Sequence, residues 1–304
     1  MRCPIVSVLA LLALAGPAAA EPASLVYLNG TPSPVFFNDG DSFRVLSGKY
    51  AGTKARLAGY NTLESFGPVH QWGDWAAKEL YVVAKLATLN AQRGTWRCES
   101  DLKTDTYGRI LWWCPDLAAD QVRRGFAHAM SVDQSPARPE LVEAQQEAIT
   151  HRRGIWAHGV PEYVLTSLHS NDEQPGDDAS YNRLVSTADG HSKKWEHKNI
   201  YQECDLLCWP EMTPSEEAAT LKELGLTGPA SEYDDARLHR LLAHYIKDRT
   251  VGPLEPEEGL KEDADRAPLE SALAAFMARE PKRACMVHAD FRRRFGSAKA
   301  VCLK

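Results

Sequence analysis

Apolar and polar positions alternate with a period of two through the first third of the chain, and then the period changes. Val35-Phe36-Phe37 precedes the turn residues Asn38-Asp39-Gly40-Asp41, and Ser42-Phe43-Arg44-Val45-Leu46 alternates as a half-buried strand does. Ser47-Gly48-Lys49 turns the chain, and residues 54–60 make a third strand. Over residues 72–90 the spacing becomes helical, with Ala76, Leu80, Val83, Ala84 and Ala87 on one face. Residues 95–101 and 109–114 return to strand, joined by a polar turn at residues 103–106. A short helix capped by Asp116 follows. A longer one covers residues 139–153 and stops at Gly154, after which Ile155-Trp156 packs back.

Five strands with a helix between the third and fourth predict a small closed β-barrel of the OB type with packed helices. An open five-stranded α+β sheet satisfies the same periodicity. Residues 170–199 are rich in Pro, Gly, Asp and Ser with little periodicity, and read as a linker. Beyond them the pattern is helical. Thr213-Pro214-Ser215-Glu216 is a capping box with proline at the first helical position. Ser231 caps a helix with Leu238, Leu241, Leu242 and Tyr245 on one face, and Leu269, Leu273, Phe276 and Met277 mark another. The expected partition is a leader over residues 1–20, a barrel domain over 21–165, a linker over 166–199 and a helical, disulfide-braced domain over 200–304.

The leader changes the address. Arg2, an apolar run over residues 5–15 and Ala18-Ala19-Ala20 before Glu21 form an export signal, which places the product in the periplasm or outside the cell. The run is too short to span a bilayer, and no membrane segment is expected after its removal. Cys3 leaves with it. Cys98, Cys114, Cys204, Cys208, Cys285 and Cys302 remain, and an even count in an exported chain reads as disulfides. With the hairpin turn centred near Thr106, Cys98 and Cys114 are each eight residues away and directly opposite. Opposed residues in an antiparallel pair have Cα atoms about 4.5–5.5 Å apart, within disulfide reach. The other four are then confined to the second half, with three possible connectivities. A zinc site from Cys204 and Cys208 with His197 or His288 fits poorly by spacing.

Charge limits the partners. Residues 21–165 hold fifteen Lys and Arg against sixteen Asp and Glu, a net of −1. Tight non-specific binding to duplex nucleic acid is not expected of such a surface, and any basic cleft is local.

The candidate chemistry sits at strand ends. Asp41 begins a strand at the barrel rim, Arg56 lies in the next, Asn61, Thr62 and Glu64 follow it, and Tyr107-Gly108-Arg109 closes the hairpin. Read blandly, these are turn residues and solvated polar groups. Read together, Asp41, Asn61 and a backbone carbonyl make an oxygen site for a hard cation, Glu64 is a base, and Arg56 and Arg109 clamp a phosphate. His70 and Trp72 in "GPVHQWGDW" are possible substrate contacts, one for proton transfer and one for base stacking, with Tyr107 a third. Asp172, Glu173, Asp177 and Asp178 form an acidic cluster that reads as solvated linker, since EF-hand spacing is missing.

This ordered set resembles the staphylococcal nuclease family. The family pattern is D-G-D-[TS], an Arg before a V-D-[TA]-P-E turn, a hairpin ending Y-G-R, an L-V-R-x-G-x-A helix and a G-[IL]-W tail. The chain shows Asp39-Gly40-Asp41-Ser42, Arg56, Asn61-Thr62-Leu63-Glu64, Tyr107-Gly108-Arg109, Val122-Arg123-Arg124-Gly125-Phe126-Ala127 and Gly154-Ile155-Trp156, over residues 34–158. The resemblance implies an OB-type barrel. It also implies a calcium site (or one for another divalent cation) with Asp41 as ligand and Thr62 as carbonyl ligand. Glu64 would be the general base or orient water, and Arg56 and Arg109 would bind the scissile phosphate. Two residues depart from the pattern: Asn61 stands where the family has a second metal carboxylate, and Leu63 where it has proline. The implied activity is phosphodiester hydrolysis of DNA or RNA with little base specificity, single strands favoured. The alternative is a catalytically impaired OB module with a protein or cell-envelope partner, which Asn61 and the acidic balance favour.

Overall fold

A hairpin that the periodicity did not reveal opens the computed structural model, which describes residues 24–75, 77–173, 179–210 and 283–289, together with Ser215, Ala219 and Lys222. Strands β1 (Ser24–Leu28) and β2 (Thr31–Phe37) are joined by Asn29-Gly30, both at positive φ, a turn whose twist suits a two-residue hairpin. Pro32 and Pro34 hid this strand, because proline lowers any strand expectation. Strands β3 (Ser42–Val45) and β4 (Lys54–Leu57) continue the antiparallel meander. The expected third strand breaks at Ala58-Gly59, and its remainder is β5 (Tyr60–Thr62).

Two parallel pairings bend this meander around. Strand β7 (Trp96–Cys98) lies beside β1, and β8 (Ile110–Trp112) lies beside β4, giving the order β7-β1-β2-β3-β4-β8. The two end strands meet. Glu99 and Trp113 exchange backbone hydrogen bonds of 2.8 Å in each direction, and the next pair outward, Cys98 and Cys114, is joined by a disulfide with Cα atoms 4.1 Å apart. The result is a nearly closed six-strand barrel rather than an open sheet.

The helices cover its base. Helix α1 (Ala77–Arg93) starts later than its apolar spacing predicts, because Val69–Trp72 is strand β6, bounded by Gly67-Pro68 and Gly73. Helix α2 (Pro115–Arg123) and helix α3 (Pro139–Thr150) both begin with proline, whose fixed φ suits a first turn. The N-cap of α2 is therefore Cys114, and Asp116 falls inside the first turn instead of capping it. Phe37, Phe43, Leu57, Trp112, Leu117 and Leu141 fill the barrel core, and Leu63, Trp72, Leu80, Ile155 and Trp156 pack beneath α1. Strand β9 (Ala127–Ala129) follows α2 and pairs with β5. Its placement depends on a backbone contact. Gly125 (φ +68°) accepts a 2.8 Å hydrogen bond from Ile155, and a Cβ on Gly125 would lie 2.2 Å from the Arg153 carbonyl oxygen.

The stretch expected as a linker is folded. Strands β10 (Tyr163–Ser167), β11 (Ser180–Ser186) and β12 (Ser192–His197) form an antiparallel sheet. Polar residues occupy its inward positions and mask the alternation. Asn182 is fully buried, donating to the Tyr201 hydroxyl (2.7 Å) and accepting from the His169 amide (3.1 Å). Further on, the described cysteines of the expected helical domain sit on strands. Strands β13 (Leu206–Trp209) and β14 (Ala284–Val287) pair with Cys208 directly opposite Cys285, and the two are disulfide-bonded. Cys204 is disulfide-bonded as well. Cys208 and Cys285 therefore lie on strands and not on the expected helices; four-residue strands are too short for their pattern to show a period. Strand β14 also pairs with β6, so the sheet order is β13-β14-β6 and the second half of the chain is joined to the first by a strand ladder. Ser215, Ala219 and Lys222 are helical, as the capping box predicts. The expected leader and the helices built on Leu238 and Leu269 lie outside the described residues, among which no helix is long and apolar enough to cross a membrane.

Gly125→Ala should lower stability by about 2–4 kcal/mol, combining a left-handed backbone penalty with a clash that repacking cannot relieve. Gly48→Ala, also at positive φ but with open space around it, should lose only the backbone part. Urea midpoints at unchanged slope measure both. Equal losses would refute the close approach as the reason.

Candidate active site

The rim turn is built to deliver one carboxylate. Asp39 Oδ1 accepts from the Asp41 amide (3.2 Å) and from Ser42 Oγ (2.7 Å), which locks the turn. A Cβ on Gly40 would lie 2.5 Å from Thr62 Cγ2, so glycine alone lets the turn press onto β5. The Gly40 carbonyl in turn accepts from the Tyr60 hydroxyl (2.9 Å) and Gln121 Nε2 (3.3 Å). Asp41 is thereby buried with its Oδ2 accepting the Thr62 amide (2.8 Å) and its Oδ1 paired with Arg56 Nη1. The other Arg56 nitrogen, Nη2, donates to Asn61 Oδ1, and Asn61 Nδ2 donates to the Thr62 carbonyl (2.7 Å). Arg56 thus bridges the Asp41 carboxylate and the Asn61 amide oxygen, while the Asn61 amide nitrogen faces the Thr62 carbonyl.

The electrostatics follow from burial. Burial, and then the charge of Asp41, push the Asp39 carboxyl up to about 7. Burial opposes the charge of Arg56, but Asp41, Asp39 and Glu64 outweigh it and hold the guanidinium above its usual value. His128 lies opposite Asn61 in the β5–β9 pair, and burial lowers it to about 4, so it is a neutral imidazole in the wall of the site. Its Nδ1 donates to the Ala129 carbonyl (3.2 Å), and its Nε2 has no hydrogen-bond partner among the described residues. The sequence reading does not place His128 or Asp39 in the site, and for His128 a three-residue strand shows no period that would single it out.

Glu64 follows β5, and its backbone amide donates to His70 Nε2 (3.0 Å). His70 is 1% exposed, so it holds the Glu64 loop from below and is not a substrate contact. Trp72 is 2% exposed, with its indole N–H shared between the Ile155 and Gly159 carbonyls (3.2 Å each); it is a core residue and offers no face to a base. Both corrections have one cause: β6 is the strand on which β14 lies, with Met286 opposite His70. Tyr107 is 66% exposed beside the Arg109 guanidinium, 5.4 Å from ring centroid to carbon. Arg109 itself is braced by Asp105, whose Oδ2 accepts Nε (2.8 Å) and Nη2 (2.7 Å) while Oδ1 accepts the Arg109 amide (2.9 Å). Arg56 lies opposite Leu111 in the parallel β4–β8 pair. Arg109 is two residues earlier on the same face, and strand geometry sets the two arginine Cα atoms roughly 8 Å apart.

A second constellation adjoins the first. A cavity of about 580 Å³ opens beyond Glu64, walled by Phe66 on one side and by His169, Glu173, Tyr201 and His288 on the other. Glu173 Oε2 lies 3.7 Å from His169 Nδ1, and its Oε1 lies 3.9 Å from His288 Nε2. These two imidazoles hold the Glu173 carboxyl down at about 2, and Glu173, helped by Asp205, raises His288 above its usual value. Glu173 is therefore part of a pocket wall and not of a solvated acidic linker.

Residues 54–158 match the family model of staphylococcal nuclease homologues. The matched segment starts at β4 and includes Arg56, Asn61, Thr62, Glu64 and Arg109, while Asp41 precedes it and the far wall of the cavity follows it. No curated protein matches the chain. The first half of the chain thus carries a domain of staphylococcal nuclease type.

The Glu173–His288 contact sets a pH window for stability. A depressed carboxyl contributes fully above its unfolded value of 4.5 and loses that contribution as pH falls toward 2. A raised imidazole contributes fully below 6.5 and loses it as pH rises through its elevated value. The melting-temperature difference between the native chain and Glu173→Gln should therefore be largest between pH 4.5 and 6.5 and shrink on both sides. A difference that is flat with pH would show that charge does not hold this wall.

Proposed function

We propose that the chain is an exported, metal-dependent nuclease that hydrolyses phosphodiester bonds in single-stranded DNA or RNA. The observation that carries this reading is the Asp41–Arg56–Asn61 contact beside Glu64. A carboxylate oxygen, an amide oxygen and the Thr62 carbonyl form a donor set suited to calcium or another hard divalent cation, and the cationic guanidinium among them reports the field such an ion would meet. A bound cation would add Lewis-acid polarisation of a phosphoryl oxygen.

The protein's own groups do the rest. Arg56 exchanges Asp41 and Asn61 for two phosphate oxygens, a bidentate match that guanidinium geometry favours. Arg109 swings from Asp105 to the same phosphate. Both then face the charge that builds up as the attacking oxygen bonds to phosphorus and the leaving P–O bond breaks. Glu64 accepts the proton of the attacking water, and His70 fixes the backbone from which Glu64 projects. The near-neutral barrel supports single strands over duplex, because duplex affinity depends on neutralising many phosphates. The two described disulfides support an oxidising compartment. One observation favours the competing reading of an impaired binding module: Asn61 removes a negative charge from the cation site, and ligand charge helps set calcium affinity.

The purified mature chain should cut single-stranded DNA with calcium and stop with chelator. Glu64→Ala and Arg109→Ala should each lower the rate by roughly 10²–10³-fold at unchanged fold. Native and variant chains that cut equally would mark the activity as a contaminant's and leave the binding-module reading standing.

Asn61→Asp should lower the calcium concentration that gives half-maximal activity, since it restores a carboxylate next to Asp41. A calcium titration that shifts the other way would mean that Asn61 does not face the cation.

A further inference from the structure

The cavity beyond Glu64 is walled on its far side by residues 167–170, 172, 173, 201, 286, 288 and 289, all beyond the segment matched by the nuclease family model. Its near wall is the loop of Glu64 and Phe66. Placing a nucleotide there rests on the nuclease reading above: with the scissile phosphate on Arg56, whose charge Glu64 already feels, the adjoining nucleotide would lead past Glu64 into this space. We infer that the cavity is a base-reading subsite for that nucleotide, accepting bases that carry an exocyclic amine (cytosine, adenine or guanine) and discriminating against thymine and uracil.

Size, surface and charge agree. About 580 Å³ is within the range of small-ligand sites. Phe66 brings an aromatic side chain to the near wall, and aromatic faces stack on any base, while Tyr201 is buried in the far wall with its ring against His197 and His288. The polar groups decide which base. Glu64, Asp172 and Glu173 bring three carboxylates to the lining, against the imidazoles of His169 and His288. A second phosphate would be repelled there, so the group that enters is the base. Carboxylates accept hydrogen bonds from an amine such as cytosine N4, whereas the uracil and thymine O4 is an acceptor and would face them without a proton.

The wall is also held still, which specificity requires. His169 and His288 lie against the two oxygens of Glu173, and His288 Nδ1 donates to the Gln202 carbonyl (3.0 Å). Asp172 accepts from Ser170 Oγ, which itself accepts the Tyr201 amide (2.8 Å). Strand β14, which carries the chain into His288, is tied to β13 by Cys208–Cys285 and to β6 by its ladder. Among the hydrogen bonds named, none needs a base to be complete, so the wall is preformed.

Deoxycytidine and deoxyuridine test this directly, because they differ chiefly in the amine and carbonyl at C4 and neither brings a phosphate. Calorimetric titration of the full mature chain should show deoxycytidine binding roughly tenfold tighter than deoxyuridine. Glu173→Gln should remove or reverse that ratio, since a carboxamide can donate to O4, and Asp172→Asn provides the same test if the first variant unfolds. Phe66→Ala should weaken both nucleosides. The second arm uses single-stranded oligonucleotides with one variable base beside a fixed cleavage step. Cutting beside cytosine should exceed cutting beside uracil by a similar factor, and Glu173→Gln should erase or reverse the difference. Equal binding of the two nucleosides, tighter deoxyuridine, or no binding of either overturns the subsite. Absence of all cleavage with the nucleoside ratio intact overturns the nuclease reading alone.

Discussion

One short seam decides whether six strands are a barrel or an open sheet. Strands β7 and β8 are the two ends of the order, and each would otherwise expose unpaired backbone groups. The reciprocal Glu99–Trp113 bonds and the adjacent Cys98–Cys114 link close the gap. Closure by a bond separated by 16 residues removes loop entropy from the unfolded chain, worth roughly 3 kcal/mol in the chain-entropy model. Its structural effect is larger than that figure implies. With the seam shut, β8 is held parallel to β4, and only this pairing brings Arg109 to the same face as Arg56. Neither arginine touches a cysteine, yet their spacing is set by one.

Inside the rim the governing quantity is charge in a dry place. Asp41 is buried beside the half-buried Asp39, and an unpaired buried carboxylate is costly. Arg56 supplies the compensation, pairing with the Asp41 carboxylate and the Asn61 amide oxygen. Removing Arg56 would leave the buried Asp41 carboxylate without its ion-pair partner, with only the Thr62 amide still donating to it.

Much of this was legible in the chain. The Asp39-Gly40-Asp41-Ser42 turn, the position of Arg56, the Asn61-to-Glu64 run and the opposed cysteines of the hairpin are local features whose spacing survives without tertiary knowledge. What was not legible depended on partners far away in sequence. Val69–Trp72 looks like the start of a helix until Ala284–Val287 is laid beside it, and only then do His70 and Trp72 become buried. Asn182 reads as a loop residue until Tyr201 and His169 satisfy it. His128 carries no pattern at all, since a three-residue strand is too short to show a period. Long-range pairing overrode local propensity in each case.

The ladder between β6 and β14 also imposes an order in time. It pairs Gln71 with Cys285, 214 positions later in the chain. During synthesis from the N-terminus, the barrel strands can find their partners among residues already made, but β6 has to wait for nearly the whole polypeptide. Contacts of such sequence separation form late and slowly. The loop bearing Glu64, which hangs from His70, therefore acquires its final support only after residue 287 has been added. A nascent chain, or one clipped shortly before Ala284, keeps the barrel with its seam and both arginines but has neither the strand under His70 nor the wall that includes His288. Completion of the polypeptide is thus itself a condition for the assembled loop and wall.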